Sequence, residues 1–305
     1  MPNNPSLDKK LNRIRRIFPV QRIKDTHMDL SYIASYYKTN KLAYSLFHTL
    51  SDAMYMGISR DGKYKNEDLY EAGRTVERYI KPSKTRRILE LATGRGATSI
   101  YLAKKYTFIE FDGIDISPGQ LDFAHKKAKK YANYHPVLGD YHDLSKYEPN
   151  SFDIVFIIEA LCYSKDKEIV LHEVKRVLKP DGKFIILDAY RTQFSKLGTK
   201  EEKEAMQLTE RGMAVEYFET YESFRKTVIK SEYNFTFEED VSEFILPTAY
   251  RFETTASFFT SLPLLTNILV KIFSPKFTWN AIAGLLMPEL IKRNLACYYI
   301  TVLKK

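Results

Sequence analysis

The stretch Glu90-Leu91-Ala92-Thr93-Gly94-Arg95-Gly96 joins an apolar run to a helix-forming segment. Glycine at such a junction lets the backbone approach a ligand closely, and the start of the helix offers free N–H groups. Two acids stand where that ligand would extend. Asp115 ends the next apolar run, where a carboxylate can accept both hydroxyls of an adenosine ribose. Asp140 closes the third run, where an acid reaches an adenine amino group. Both features serve a dinucleotide as well as S-adenosylmethionine. A nicotinamide fingerprint reads Gly-x-Gly-x-x-Gly or Ala, whereas Gly94 and Gly96 are followed by Ser99. S-adenosylmethionine has no pyrophosphate, and its sulfonium and ammonium tolerate an acid such as Glu90. Direct cofactor contact and a purely structural acid at the strand end are equal readings of Glu90.

The elements that must position these residues are legible in the periodicity. From about Arg86, short apolar runs alternate with helical patterns, the signature of βα units and a parallel sheet. Strands are expected at 87–92, 108–115, 137–140, 152–158 and 183–188. Ser117-Pro118 opens one helix, with proline where no N–H is needed, and 168–178 forms another. Pro180-Asp181-Gly182 reads as a turn. Beyond Asp188 the rhythm is lost. Residues 195–232 read as helices, 233–240 as a weak strand, and 241–293 as helices interrupted at Pro247, Pro263, Pro275 and Pro288. Ala296 to Leu303, rich in Tyr, Ile, Thr and Val, is a last strand. The organisation expected is a basic N-terminal arm at 1–25, a helical cap at 26–80, and a main domain at 81–305 with a cap insertion at about 190–290. The aromatics Tyr32, Tyr36, Tyr37, Tyr44, Phe47 and Tyr55 fit helix packing better than a ligand box.

Several of these segments together resemble class I S-adenosylmethionine-dependent methyltransferases: Glu90 to Gly96, Gly113-Ile114-Asp115-Ile116-Ser117-Pro118, Gly139-Asp140, and Arg176-Val177-Leu178-Lys179-Pro180-Asp181-Gly182. Ile158-Glu159-Ala160-Leu161-Cys162-Tyr163 is similar to the segment after the fourth strand in sterol C-methyltransferases. The stretches 52–57 and 284–305 are similar to tocopherol C-methyltransferases. The resemblance spans roughly residues 30 to 305. It implies a Rossmann-like α/β fold, a seven-stranded, mostly parallel sheet with an antiparallel last strand, and a lipophilic acceptor held by helical caps. It places the cofactor among Glu90, Ala92, Thr93, Gly94, Gly96, Asp115, Ile116, Gln120, Asp140, Tyr141 and Ile158. Ala92 replaces the family's usual first glycine, which requires φ below zero there. Tyr55 and Met56 stand where the tocopherol enzymes carry histidines. Methyl transfer is an in-line displacement at an activated carbon, so the protein supplies positioning, desolvation and a base where the nucleophile loses a proton. Glu159, Tyr163 and Tyr55 are the candidates at the mouth, and Cys162 lines it.

Composition sets the remaining bounds. A chain of 305 residues with 44% hydrophobic and 28% charged content can bury a large core. Two cysteines and six scattered histidines provide neither a disulfide framework nor a zinc site, so a reducing, cytoplasmic setting and no metal are expected. The net charge of +9 fits either an anionic partner or a lysine-rich exterior. Basic residues near the N-terminus lack a following apolar core, so no secretory signal is expected. The uncharged stretch 254–270 is short for a membrane span and broken by Pro263. A small hydrophobic sterol-, prenylquinol- or terpenoid-like acceptor, methylated at carbon or nitrogen, is the leading reading, with peripheral membrane contact through the basic arm and apolar cap. An RNA or protein methyltransferase is the alternative, disfavoured because no Asn-Pro-Pro-Tyr-like motif follows the fourth strand. A non-catalytic partner subunit comes last.

Overall fold

The computed structural model describes residues 6–40 and 53–305. A seven-stranded sheet runs through it: β1 (Arg87–Leu91), β2 (Glu110–Asp115), β3 (Tyr134–Leu138), β4 (Phe152–Ile158), β5 (Leu178–Arg191), β6 (Asn234–Asp240) and β7 (Ala296–Lys304). The order is β3-β2-β1-β4-β5-β7-β6. Strands β1 to β5 pair in parallel, and β7 lies antiparallel between β5 and β6. The order reverses between β1 and β4, and in open α/β sheets ligands settle at such a switch point, over the strands' carboxyl ends.

Both faces of the sheet are covered, which is why its central strands are apolar throughout. Alternation divides them: Leu89, Leu91, Val155, Ile157, Phe184 and Ile186 face one core, and Ile88, Ile154, Phe156, Ile185 and Leu187 face the other. On the first face lie α7 (Lys167–Val177) and α9 (Tyr221–Lys230). On the second lie α4 (Glu71–Glu77), α5 (Ala97–Lys105), α6 (Pro118–Ala128) and the start of α10 (Ser242–Phe259). A third core joins α1 (Leu7–Ile17) and α2 (Val20–Asp25) to α8 (Lys200–Gly212) and α13 (Asn280–Lys292). The cap is completed by α3 (Leu30–Thr39), α11 (Pro263–Ile272) and α12 (Pro275–Thr278). Tyr44, Phe47 and Asp52 lie outside the described residues.

Several expectations need correction. The N-terminal segment is not a projecting arm, because its apolar stripe is buried. Leu7, Leu11, Ile14 and Ile17 pack into the third core with Met206, Trp279 and Leu286. Lys10, on the same face, is 2% exposed, with its Nζ 2.6 Å from Glu253 and 3.2 Å from Glu289. Pro247 and Pro288 do not end helices but sit inside α10 and α13. Each removes one backbone hydrogen bond, and mutual packing holds the two helices. A Cβ added at Gly284 would lie 3.1 Å from both Ala256 Cβ and the Phe252 carbonyl oxygen, so the helices cross backbone against side chain there. The third strand starts earlier than expected and stops at Leu138. The turn expected at Pro180-Asp181-Gly182 is a bulge within β5, where pairing jumps from Leu178↔Phe152 to Lys183↔Ile154 and Asp181 has φ +66°.

Candidate functional site

The turn after β1 is built by Glu90. Its Oε2 accepts from the Thr93 hydroxyl at 2.7 Å, the Ser99 hydroxyl at 2.6 Å and the Ser99 amide at 3.3 Å, pinning the loop to the first turn of α5. Burial, opposed by those donors, leaves its carboxyl raised to about 7. Ala92 has φ +53°, not the negative value expected, so a residue with a Cβ occupies the left-handed region at a cost of about 1–2 kcal/mol. Gly94 (φ +54°) and Gly96 (φ +74°) share that region without the penalty. A Cβ on Gly94 would come within 3.0 Å of Met54 Cε, and one on Gly96 within 2.5 Å of the Tyr134 hydroxyl. Larger residues at Gly94 therefore strain the backbone itself, besides blocking a ligand.

Asp115, at the end of β2, accepts from the Gly94 amide at 2.8 Å and the Ser117 amide at 2.7 Å. A carboxylate has about four acceptor positions, so two remain for a ligand. Burial raises its carboxyl above the ordinary range. Asp140, past β3, bonds His142 Nδ1 at 2.6 Å through Oδ1. Tyr141 donates its hydroxyl to the Ala160 carbonyl at 3.0 Å and stacks on His142. Glu90, Ala92, Thr93, Gly94, Asp115, Ile116, Gln120, Asp140, Tyr141 and Ile158 all line one cleft at the carboxyl ends of β1, β2 and β4. Gly96 stands back from it as the cap of α5.

This cleft adjoins a larger cavity of about 310 Å³, mostly apolar, walled by β5, β7, α3, α8, α10 and α13. Tyr37, Met54, Tyr55, Glu159 and Tyr163 line both. Tyr55 shares a hydrogen bond with Thr98 (2.9 Å), and Tyr163 accepts from Tyr37 at 3.1 Å while donating to the Met213 carbonyl at 3.0 Å. Glu159 (φ +49°) follows β4, and its Oε1 accepts from the Met56 amide at 2.6 Å and the Tyr298 hydroxyl at 3.0 Å. Burial pushes its carboxyl up to about 8. Tyr36 and Tyr37, expected as packing residues, are buried and half-buried respectively and also line the cavity.

Sequence reasoning missed four neighbours. Tyr134 shares a hydrogen bond with Thr93, and His142 bridges Asp140 to Ser164; no spacing pattern marks either. Tyr298 lies on a strand read for its propensity and its family resemblance, neither of which gives the residue a partner. Asp188 had a usable signal, being an acid that closes the apolar run 184–187, although β5 itself continues to Arg191. It accepts from the Cys162 amide at 2.9 Å, lines the larger cavity, and burial raises it to about 6.

The chemistry of the donor set separates the two cofactors left open by spacing. Four carboxylates, Glu90, Asp115, Asp140 and Glu159, line the cleft, and among the described residues Arg95 is the one arginine or lysine there. Arg95 bonds Gln120 at 3.1 Å and stacks over Phe123, with its Cζ 4.2 Å from the ring centroid. A pyrophosphate would meet like charge there, whereas a sulfonium and an ammonium meet complementary charge.

A family model described as a methyltransferase domain matches residues 82–238. Demethylmenaquinone methyltransferase of Thermotoga maritima is 30% identical over 156 residues, covering 50% of this chain and 63% of that enzyme. The 24-methylenesterol C-methyltransferase 2 of Arabidopsis thaliana is 29% identical over 166 residues, covering 53% of this chain and 45% of that one. The chain thus spans less than two-thirds of these curated relatives. The solved structure of mycolic acid cyclopropane synthase CmaA1, complexed with SAH and CTAB, superposes with a TM-score of 0.75 at 11% identity, covering 92% of this chain and 100% of that one. That likeness is one of fold.

Proposed function

The chain belongs to the methyltransferase-domain family and has the class I fold, and from that premise we propose that it transfers a methyl group from S-adenosylmethionine to a small, hydrophobic, lipid-like acceptor. The observation carrying this reading is the shared wall, Tyr37, Met54, Tyr55, Glu159 and Tyr163, between an acid-lined cleft and a deep apolar cavity. Asp115 would hold the ribose hydroxyls and Asp140 the adenine edge, while Glu90 keeps the glycine turn in shape. The cofactor, when bound, supplies a methyl carbon activated for displacement.

The remaining work falls to the chain itself. Glu159 at the junction is placed to take a proton from the acceptor in its ionised form, and Tyr298 and the Met56 amide orient its carboxyl. Tyr163 and Tyr55 close the junction and exclude water. The activities of the relatives, on demethylmenaquinone and a methylenesterol, favour acceptors of that kind, and peripheral contact with a membrane belongs to the same reading because such molecules partition into bilayers. Among the described residues no helix is long and apolar enough to cross a membrane. The test is transfer of labelled methyl to a panel of prenylated quinols, sterols and terpenoids, run beside tRNA and peptide mixtures. Label appearing only in tRNA or peptide would overturn the assignment of acceptor class.

A further inference from the structure

Exposed large apolar side chains cluster on one short stretch of the cap. Phe258 and Leu264 are each 84% exposed, Ile272 is 69% exposed, and Leu262, Ile268 and Phe273 are exposed beside them. Leu264, Ile268 and Ile272 recur every four residues and therefore share one face of α11. The helix is fastened from its other side: Thr266 is buried, and its hydroxyl bonds the Phe259 carbonyl at 2.6 Å. A helix this apolar belongs in contact with something other than water.

Charge narrows the partner. Between Glu253 and Glu289 the chain contains no acid, and Lys271 and Lys276 are its only charges. The neighbouring α1 packs against α11 and carries exposed Lys9 and Arg16. Two copies of such a face would bring like charges together, whereas an anionic bilayer complements them. The face also continues into the cavity wall, since Phe259 and Phe277, which flank α11, both line the cavity. We propose that the Leu264–Ile268–Ile272 face of α11, with Phe258 and Leu262, docks in the plane of an anionic lipid surface and so brings the cavity to the bilayer. The basic N-terminal helix contributes charge to this contact, but its apolar stripe is spent on the third core. The idea that an acceptor enters from the bilayer rests on the lipid-acceptor reading; the docking itself does not.

The test uses the full chain and vesicles of phosphatidylcholine with and without phosphatidylglycerol. The wild type should co-sediment with the anionic vesicles, and less so as salt rises. L264E/I268E should bind them about tenfold or more weakly, because two apolar side chains no longer leave water. K271E should bind about fivefold more weakly per charge lost. S-adenosylhomocysteine binding and melting temperature, unchanged in both variants, establish that fold and cleft are intact. Equal sedimentation of wild type and L264E/I268E would overturn the proposal. So would a concentration-dependent dimer abolished by L264E/I268E with no vesicle binding, which would assign the face to a second copy. Vesicle binding is read without any acceptor, so its failure and that of the methyl-transfer reading are separate results.

Discussion

Tyr298, on the antiparallel last strand, donates its hydroxyl to Glu159 across the end of the sheet at 3.0 Å, and the Met56 amide reaches the same carboxyl oxygen at 2.6 Å. Three segments far apart in the chain thereby meet at the junction of cleft and cavity. Glu159→Gln preserves the accepting oxygen and the shape of the site, yet it cannot take a proton. Turnover should fall about a hundredfold or more, while S-adenosylhomocysteine affinity measured by calorimetry changes little. In the wild type kcat/KM should rise with pH through about 8 as Glu159 ionises. The Tyr298 hydrogen bond favours the ionised form, so Tyr298→Phe should move that rising limb to higher pH. A pH profile unchanged in both variants would remove Glu159 from the reaction.

The same buried acids make stability pH-dependent. Burial raises Glu159 to about 8, Glu90 to about 7 and Asp188 to about 6, from ordinary values of 4.5, 4.5 and 3.8. Within each window the folded chain holds a proton that the unfolded chain has released, so stability falls as pH rises, by at most about 1.4 kcal/mol per pH unit for each group. Below the ordinary carboxylate range both states are protonated and the effect vanishes. Denaturant midpoints should therefore decline between about pH 5 and 8, and E90Q/E159Q should flatten that decline. A cationic cofactor favours the ionised acids, so its binding should release protons and tighten as pH rises through about 7. Calorimetry in buffers of different ionisation enthalpy reads that release directly.

The sheet and cofactor cleft were legible because periodicity and strand-end position carry their own physics. Position after an apolar run singled out Asp115 and Asp140, which line the cleft, and Asp188 carries a similar signal in the sequence. The cap was less legible. Pro247 and Pro288 looked like helix ends because a local rule cannot see that α10 and α13 brace each other at Gly284. Leu11, Ile14, Ile17 and Phe18 fall at helical spacing in the sequence, but their partners Met206, Trp279 and Leu286 lie far away along the chain. Tyr298 illustrates the limit: a strand tyrosine meets Glu159 only once β7 is inserted between β5 and β6.

Ala92 offers a direct test of backbone strain at the cleft. Its φ of +53° costs about 1–2 kcal/mol relative to the right-handed region. Glycine there removes that cost but adds backbone freedom to the unfolded chain, which returns about 0.4–1 kcal/mol. Ala92→Gly should thus be neutral or stabilising by up to about 1.5 kcal/mol, in contrast to the usual loss when alanine is replaced by glycine. A clear fall in melting temperature would indicate that the alanine methyl packs usefully enough to outweigh the strain.

The buried triad at the base of the cap gives the sharpest test of how the N-terminal helix is held. Lys10 is 2% exposed between Glu253 of α10 and Glu289 of α13, at 2.6 and 3.2 Å. Removing the cation leaves two carboxylates facing a dry interior, so Lys10→Met should destabilise by about 3–5 kcal/mol. Glu289 also has Arg293 at 3.5 Å, which softens its share of the loss. Neutralising all three, as K10M/E253Q/E289Q, removes the orphaned charges and should recover most of the stability. The coupling is read by denaturation of the single, double and triple variants. Additive losses along that series would mean that the ion triad does not join α1 to the cap, and that its apolar stripe alone docks the helix.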